Sequence, residues 1–98
     1  MTPFRELDPL LHSQLRLAIM SVLISVDRAD FSYLREKTGA TAGNLSVQIG
    51  KLKDAGYISV SKSFGESYPQ TICSSTDLGR KKFAEYVSSL GDYLKPEA

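Results

Sequence analysis

Three observations predict a mainly helical α+β domain. Apolar residues recur at helical spacing from Leu11 to Val26. Two further helical segments are separated by little more than Gly39 and Ala40. From Tyr57 the apolar period changes from that of a helix to that of a strand, before a last helical stripe closes the chain.

The first helix is predicted to open at Asp8-Pro9, because Asp suits an N-cap and Pro the first helical position. Leu11, Leu15, Ala18, Ile19, Val22, Leu23 and Val26 form its stripe, which runs out at Asp27-Arg28-Ala29-Asp30. A short second helix spans Ser32 to Thr38. Ser32 or Asp30 can cap it, Gly39 ends it, and Phe31 and Leu34 face the core. The third helix, residues 41–55, takes Thr41 as N-cap and buries Leu45, Ile49 and Leu52. Helices joined this tightly cross steeply, which is helix-turn-helix geometry. Tyr57 to Ser63 then alternates, with Ile58 and Val60 on one face. Phe64 to Pro69 carries turn residues, and Gln70 to Ser74 returns, so that a hairpin occupies residues 57–74. Thr76-Asp77 caps a final helix, residues 76–95, with the stripe Phe83, Tyr86, Val87, Leu90, Tyr93 and Leu94; Pro96 ends it. The order is that of a winged helix-turn-helix with an added C-terminal dimerisation helix, residues 1–98 forming one domain.

Composition fits such a domain: 42% hydrophobic, 23% charged, four Phe, five Tyr and no Trp among 98 residues. One cysteine, Cys73, excludes an internal disulfide and suits a reducing cytoplasm. The N-terminus has no signal-peptide pattern, and Leu15–Val26, interrupted by Arg16, Ser21 and Ser25, is too short and polar to span a bilayer. Net charge is only +1, but residues 31–64 hold Arg35, Lys37, Lys51, Lys53 and Lys62 against Glu36 and Asp54. A local excess of this kind matters more to a polyanion than the total does, because charges are sensed over about 10 Å.

In this order of elements, several segments carry a family resemblance. They are Asp8-Pro9-Leu10-Leu11-His12-Ser13 with Arg16-Leu17-Ala18-Ile19, Phe31 to Gly39, Gly43-Asn44-Leu45-Ser46, Lys51 to Ile58, Lys62-Ser63-Phe64, Pro69-Gln70-Thr71 and Ser75 to Arg80. The chain resembles the MarR-like and ArsR-like winged-helix transcription regulators of bacteria and archaea. The resemblance implies a cytoplasmic homodimer that binds double-stranded DNA. Its third helix would enter the major groove, its wing would touch backbone or minor groove, and its first and last helices would form the dimer interface. One departure is the wing tip, Phe64 to Gln70, which holds Glu66 and no base and leaves Lys62 as the wing's cation.

With Leu45, Ile49 and Leu52 inward, Gly43, Asn44, Val47, Gly50 and Lys51 point outward, and Ser46 and Gln48 flank them. Asn and Gln can pair bidentately with adenine, and Val can touch a thymine methyl. Lys51 can reach guanine or phosphate. Thr41 caps the helix and can offer its hydroxyl to a phosphate. Arg35 and Lys37 are candidate phosphate contacts and equally a solvated face. Lys62 and Thr71 would position the wing. Leu11, Leu15, Phe83, Tyr86, Val87, Leu90, Tyr93 and Leu94 are the candidate dimer residues, since the last helix carries more apolar surface than one small domain covers. His12, the single histidine, and Cys73 do not make a metal site, and no cofactor is implied. A small-molecule effector is compatible with the fold, but no residues identify one.

The expected function is a sequence-specific DNA-binding regulator, most simply a repressor. A winged helix acting only as a protein-interaction module is the alternative, favoured by the low net charge and acidic wing tip. No nucleophile–base arrangement or phosphate loop points to an enzyme.

Overall fold

The computed structural model describes residues 4–64 and 69–95. In chain order the elements are α1 (Gln14–Ser25), β1 (Ala29–Asp30), α2 (Phe31–Thr38), α3 (Ala42–Asp54), β2 (Ile58–Phe64), β3 (Pro69–Ser75) and α4 (Asp77–Leu94). This is a mainly helical α+β winged helix-turn-helix with a C-terminal helix. The predicted wing tip at Gly65–Tyr68 and the stop at Pro96 lie outside the described residues.

The start of α1 corrects the sequence reading. Asp8 does cap: its Oδ1 accepts from the Leu10 N–H and its carbonyl from the His12 N–H, both at 2.9 Å. That closes a single turn. Ser13 is extended, with φ −151° and ψ 128°, and the helix begins beyond it. The turn folds Leu11 into the core, where it is 0% exposed.

The helix-turn-helix forms as its capping residues predict. Asp30 accepts from the Tyr33 N–H at 2.8 Å to start α2. Gly39 ends α2 in the left-handed region, φ +72°, with its N–H donating to the Arg35 carbonyl at 2.9 Å. Thr41 Oγ1 then accepts from the Asn44 N–H at 3.2 Å to start α3.

The sheet has three strands, one more than the predicted hairpin, in the order β1-β3-β2 and antiparallel throughout. The hairpin register runs from Ile58 opposite Ser75 to Phe64 opposite Pro69. On the other edge of β3, Ala29 faces Cys73 and Asp30 faces Ile72. Asp30 therefore pairs with the wing through its backbone while its side chain caps α2.

One core joins these elements: Ile19, Met20 and Leu23 of α1, Leu34 of α2, Leu45, Ile49 and Leu52 of α3, Tyr57 and Ile58, Cys73 of β3 and Tyr86 of α4. Met20 is outside the predicted stripe. Phe31, Val60, Phe83 and Leu90 pack at the margin. The α4 N-cap, Thr76, accepts from the Gly79 N–H at 3.0 Å and donates to the Gly56 carbonyl at 2.6 Å. This brings α4 across the start of β2 so closely that a Cβ on Gly79 would lie 2.0 Å from the Tyr57 carbonyl oxygen.

Two predicted dimer residues are corrected. Leu11 and Tyr86 are 0% and 4% exposed within the single chain, so neither presents a surface to a partner. Tyr86 faces the turn at residues 9–13, its hydroxyl 3.0 Å from His12 Nδ1. Among the described residues no helix is long and apolar enough to cross a membrane.

Candidate nucleic-acid interface

The turn between α2 and α3 leaves the outer face of α3 uncovered. Thr41, Gly43, Asn44, Ser46, Val47 and Lys51 are exposed, and Gln48 is half-buried. Val47 is 55% exposed, an apolar side chain that the core does not use. A Cβ at Gly43 or Gly50 would meet open space, so both positions keep the helix surface low without serving internal packing.

The polar residues of this face are tied to the body of the domain. Gln48 Nε2 donates to Asn44 Oδ1 at 3.0 Å, one turn earlier. Gln48 Oε1 accepts from Arg16 Nη1 at 2.5 Å, and Arg16 Nε donates to the Leu10 carbonyl at 2.6 Å. Sequence reading missed Arg16 as a site residue, because its partner lies 32 positions later and no local pattern reports the pairing.

Positive charge gathers on the same elements. Arg35 and Lys37 lie in the last turn of α2, and Lys51 and Lys53 in the last turn of α3, where a cation suits the helix dipole. All four are exposed. Among the described residues the ion pairs are Arg5–Asp92, Arg80–Asp77 and Lys82–Glu85, and none engages these four or Lys62. Lys37 Nζ lies 5.5 Å from the centre of the Tyr33 ring. Lys62 and Thr71 are opposite each other in the β2–β3 register, Lys62 exposed and Thr71 half-buried.

The predicted dimer residues divide by exposure. Val87, Tyr93 and Leu94 are exposed, at 51%, 42% and 73% for the three in turn. Leu15, Phe83 and Leu90 are half-buried against the chain's own core.

Other polar clusters serve the fold. Tyr57 Oη donates to Asp8 Oδ2 at 2.5 Å, and desolvation together with that carboxylate pushes the phenol up to about 12. Arg5 Nε pairs with Asp92 at 2.8 Å, and the hydrogen bond holds the carboxyl below its ordinary range. Cys73 is buried, and burial raises its thiol to about 11, far from a reactive thiolate at neutral pH. Among the described residues no cluster of His, Cys, Asp or Glu is placed to hold a metal ion.

Comparison with known proteins agrees with this fold. A family model described as a winged helix DNA-binding domain matches residues 15–94. An uncharacterized protein of Methanocaldococcus jannaschii is 33% identical over 76 residues, 78% of this chain and 83% of the relative. The solved structure of a transcriptional regulator homologue from Pyrococcus horikoshii OT3 aligns with a TM-score of 0.81 at 29% identity, covering 87% of this chain and 84% of that one. Bacillus subtilis PadR, solved in complex with operator DNA, shares the fold at 15% identity with a TM-score of 0.69, over 76% of this chain and 47% of that one. Regulators of the MarR family are among the other structures of like fold.

Proposed function

The chain belongs to the winged helix DNA-binding domain family, and from that premise we propose that it is a MarR-like regulator that binds double-stranded DNA sequence-specifically as a homodimer and represses transcription. The observation that carries this reading is the outer face of α3, where Gly43, Asn44, Val47 and Lys51 stand uncovered beside cations that form no ion pair among the described residues.

An α-helix of this kind fits the major groove, which is about 12 Å wide. Ser46, Val47 and the amides of Asn44 and Gln48 would meet base edges, and Lys51 a guanine or a phosphate. Arg35, the hydroxyl of Thr41 and the Lys62–Thr71 pair would position the domain on the backbone. The exposed stretch of α4 at Val87, Tyr93 and Leu94 supports a two-fold dimer, which would set two α3 helices on half-sites roughly 34 Å apart. Occupying a promoter in this way blocks access to it.

Fluorescence anisotropy on duplex DNA tests the reading. Affinity is expected to fall steeply between about 50 and about 200 mM salt, as counterion release requires. Lys51→Ala is expected to weaken binding and to make the salt slope shallower. Absence of duplex binding at about 50 mM salt would overturn the proposal in favour of a protein-interaction module.

A further inference from the structure

Asn44 is held at both ends. Its backbone is fixed at the third position of α3, where its N–H donates to Thr41 Oγ1 at 3.2 Å. Its side chain is held by a relay that begins in α1. Arg16 is half-buried, anchored by Nε on the Leu10 carbonyl at 2.6 Å, and directs Nη1 at Gln48 at 2.5 Å. A guanidinium carries only donors, so the end of the Gln48 amide that meets it is the oxygen. The other end, Nε2, then faces Asn44 at 3.0 Å, and the Asn44 atom that receives this donor is its own oxygen, Oδ1. The order of donors and acceptors along Arg16–Gln48–Asn44 is thus set from α1 by a group that cannot reverse. The bond at its origin is charge-assisted, the stronger kind.

An amide oxygen accepts two hydrogen bonds and an amide nitrogen donates two. Asn44 therefore keeps one lone pair on Oδ1 and both hydrogens on Nδ2, an acceptor beside a donor. It is exposed and lies at the N-terminal end of α3, the end from which a recognition helix contacts base edges. Adenine presents the complement in the major groove, its N6 amino group beside the N7 acceptor, whereas guanine sets two acceptors there and leaves Oδ1 without a donor. An untethered Asn can turn its amide and offer Nδ2 alone to guanine or thymine, or Oδ1 alone to cytosine. The tethered amide loses the Gln48 bond if it turns over, because two N–H groups would then face each other. Resting on the reading of α3 as the base-contacting helix, we infer that Arg16 is a positioning residue for sequence recognition: through Gln48 it holds the Asn44 amide in one orientation, and the base pair beneath Asn44 is read as adenine. The relay meets in advance the ordering cost that a free side chain meets on binding, and it denies the other bases the turned amide that would suit them.

The experiment is selection of duplexes from a randomised library by the full chain, with four proteins compared: wild type, Asn44→Ala, Arg16→Met and Gln48→Leu. Asn44→Ala identifies the base pair concerned, as the position whose preference it abolishes. There the wild type is expected to favour adenine over each other base by about tenfold, as one bidentate pair gives. Arg16→Met and Gln48→Leu each free the Asn44 amide and are expected to lower the preference at that same position to about threefold. A role of Arg16 in folding alone would lower thermal stability and weaken all duplexes alike, without moving this ratio. If Arg16→Met does not fold, Gln48→Leu decides the matter. The inference is overturned if the wild type selects another base at the position, if Asn44→Ala abolishes no base preference, or if folded Arg16→Met or Gln48→Leu keeps the wild-type ratio. Failure of the wild type to retain any duplex at about 50 mM salt overturns the regulator reading and this inference with it. Duplex binding with an unaltered ratio in the relay variants overturns the inference alone.

Discussion

Among the described glycines Gly79 alone has no room for a Cβ, and the reason is a distance. With a Cβ 2.0 Å from the Tyr57 carbonyl oxygen, either α4 or the entry to β2 has to move, and that carbonyl also accepts from the Thr76 N–H at 3.1 Å. Gly79→Ala is expected to cost about 3 kcal/mol in urea denaturation, at the upper end for overpacking. Cys73 gives a residue-scale prediction in pH. Its thiol is held protonated in the fold up to about 11, against an ordinary 9.0. Below pH 9 both folded and unfolded chains keep the proton and the contribution of burial is whole. Between 9 and 11 only the unfolded chain releases it, and stability falls. The stability advantage of the wild type over Cys73→Ala should therefore shrink as pH rises through that window in denaturant titrations. Tyr57 adds a second loss from 10 to about 12, for the same sign of shift.

Elements were legible in the sequence where capping chemistry and apolar period agree. For α3, Thr41 and the spacing of Leu45, Ile49 and Leu52 each point to the same helix, and all three leucine and isoleucine side chains are buried. For α1 the two signals conflict: Asp8-Pro9 is a valid start, but of one turn, and the extended backbone at Ser13 has no compositional mark. Strand β1 has two residues, too few to alternate, and exists because β3 has a free edge beside it. At the site, the exposed face of α3 followed from the helical period, whereas Arg16 did not, since its role depends on a side chain from another element. Spacing likewise placed Tyr86 and Val87 on one predicted stripe of α4; which of the two the chain covers depends on how the helix docks on the 9–13 turn. The dimer prediction belongs at this scale. Leu90 and Phe83 help to pack the core, so a charge there would confuse folding with assembly. Val87→Glu avoids this, being 51% exposed, and is expected to give a folded monomer by light scattering.

At the scale of the whole molecule the prediction concerns spacing. A two-fold dimer with one α3 in each of two major grooves demands half-sites about 10 base pairs apart, centre to centre. Inserting about five base pairs between the half-sites of a selected operator puts them on opposite faces of the duplex and should reduce affinity to that for a single half-site. Gel-shift titration of the paired operators checks this; equal affinity for both would contradict the two-fold arrangement. Charge at this scale is arranged rather than abundant. The net charge is +1, yet the middle of the chain carries the cations of α2, α3 and β2, which form no ion pair among the described residues, while Arg5, Arg80 and Lys82 each pair with an acid.

Asp30 has a consequence for how such a molecule meets a duplex. Its backbone is stitched to Ile72 in the inner strand of the wing, and its carboxylate starts α2, which Gly39 and Ala40 join almost directly to α3. The hairpin and the helix-turn-helix therefore share one anchorage at Asp30. The angle between them is built in before any encounter. On the DNA-binding reading, a duplex touched by both would have to bend to the angle that this joint sets, and flexible steps between the two contacts would be favoured even where no side chain reaches a base.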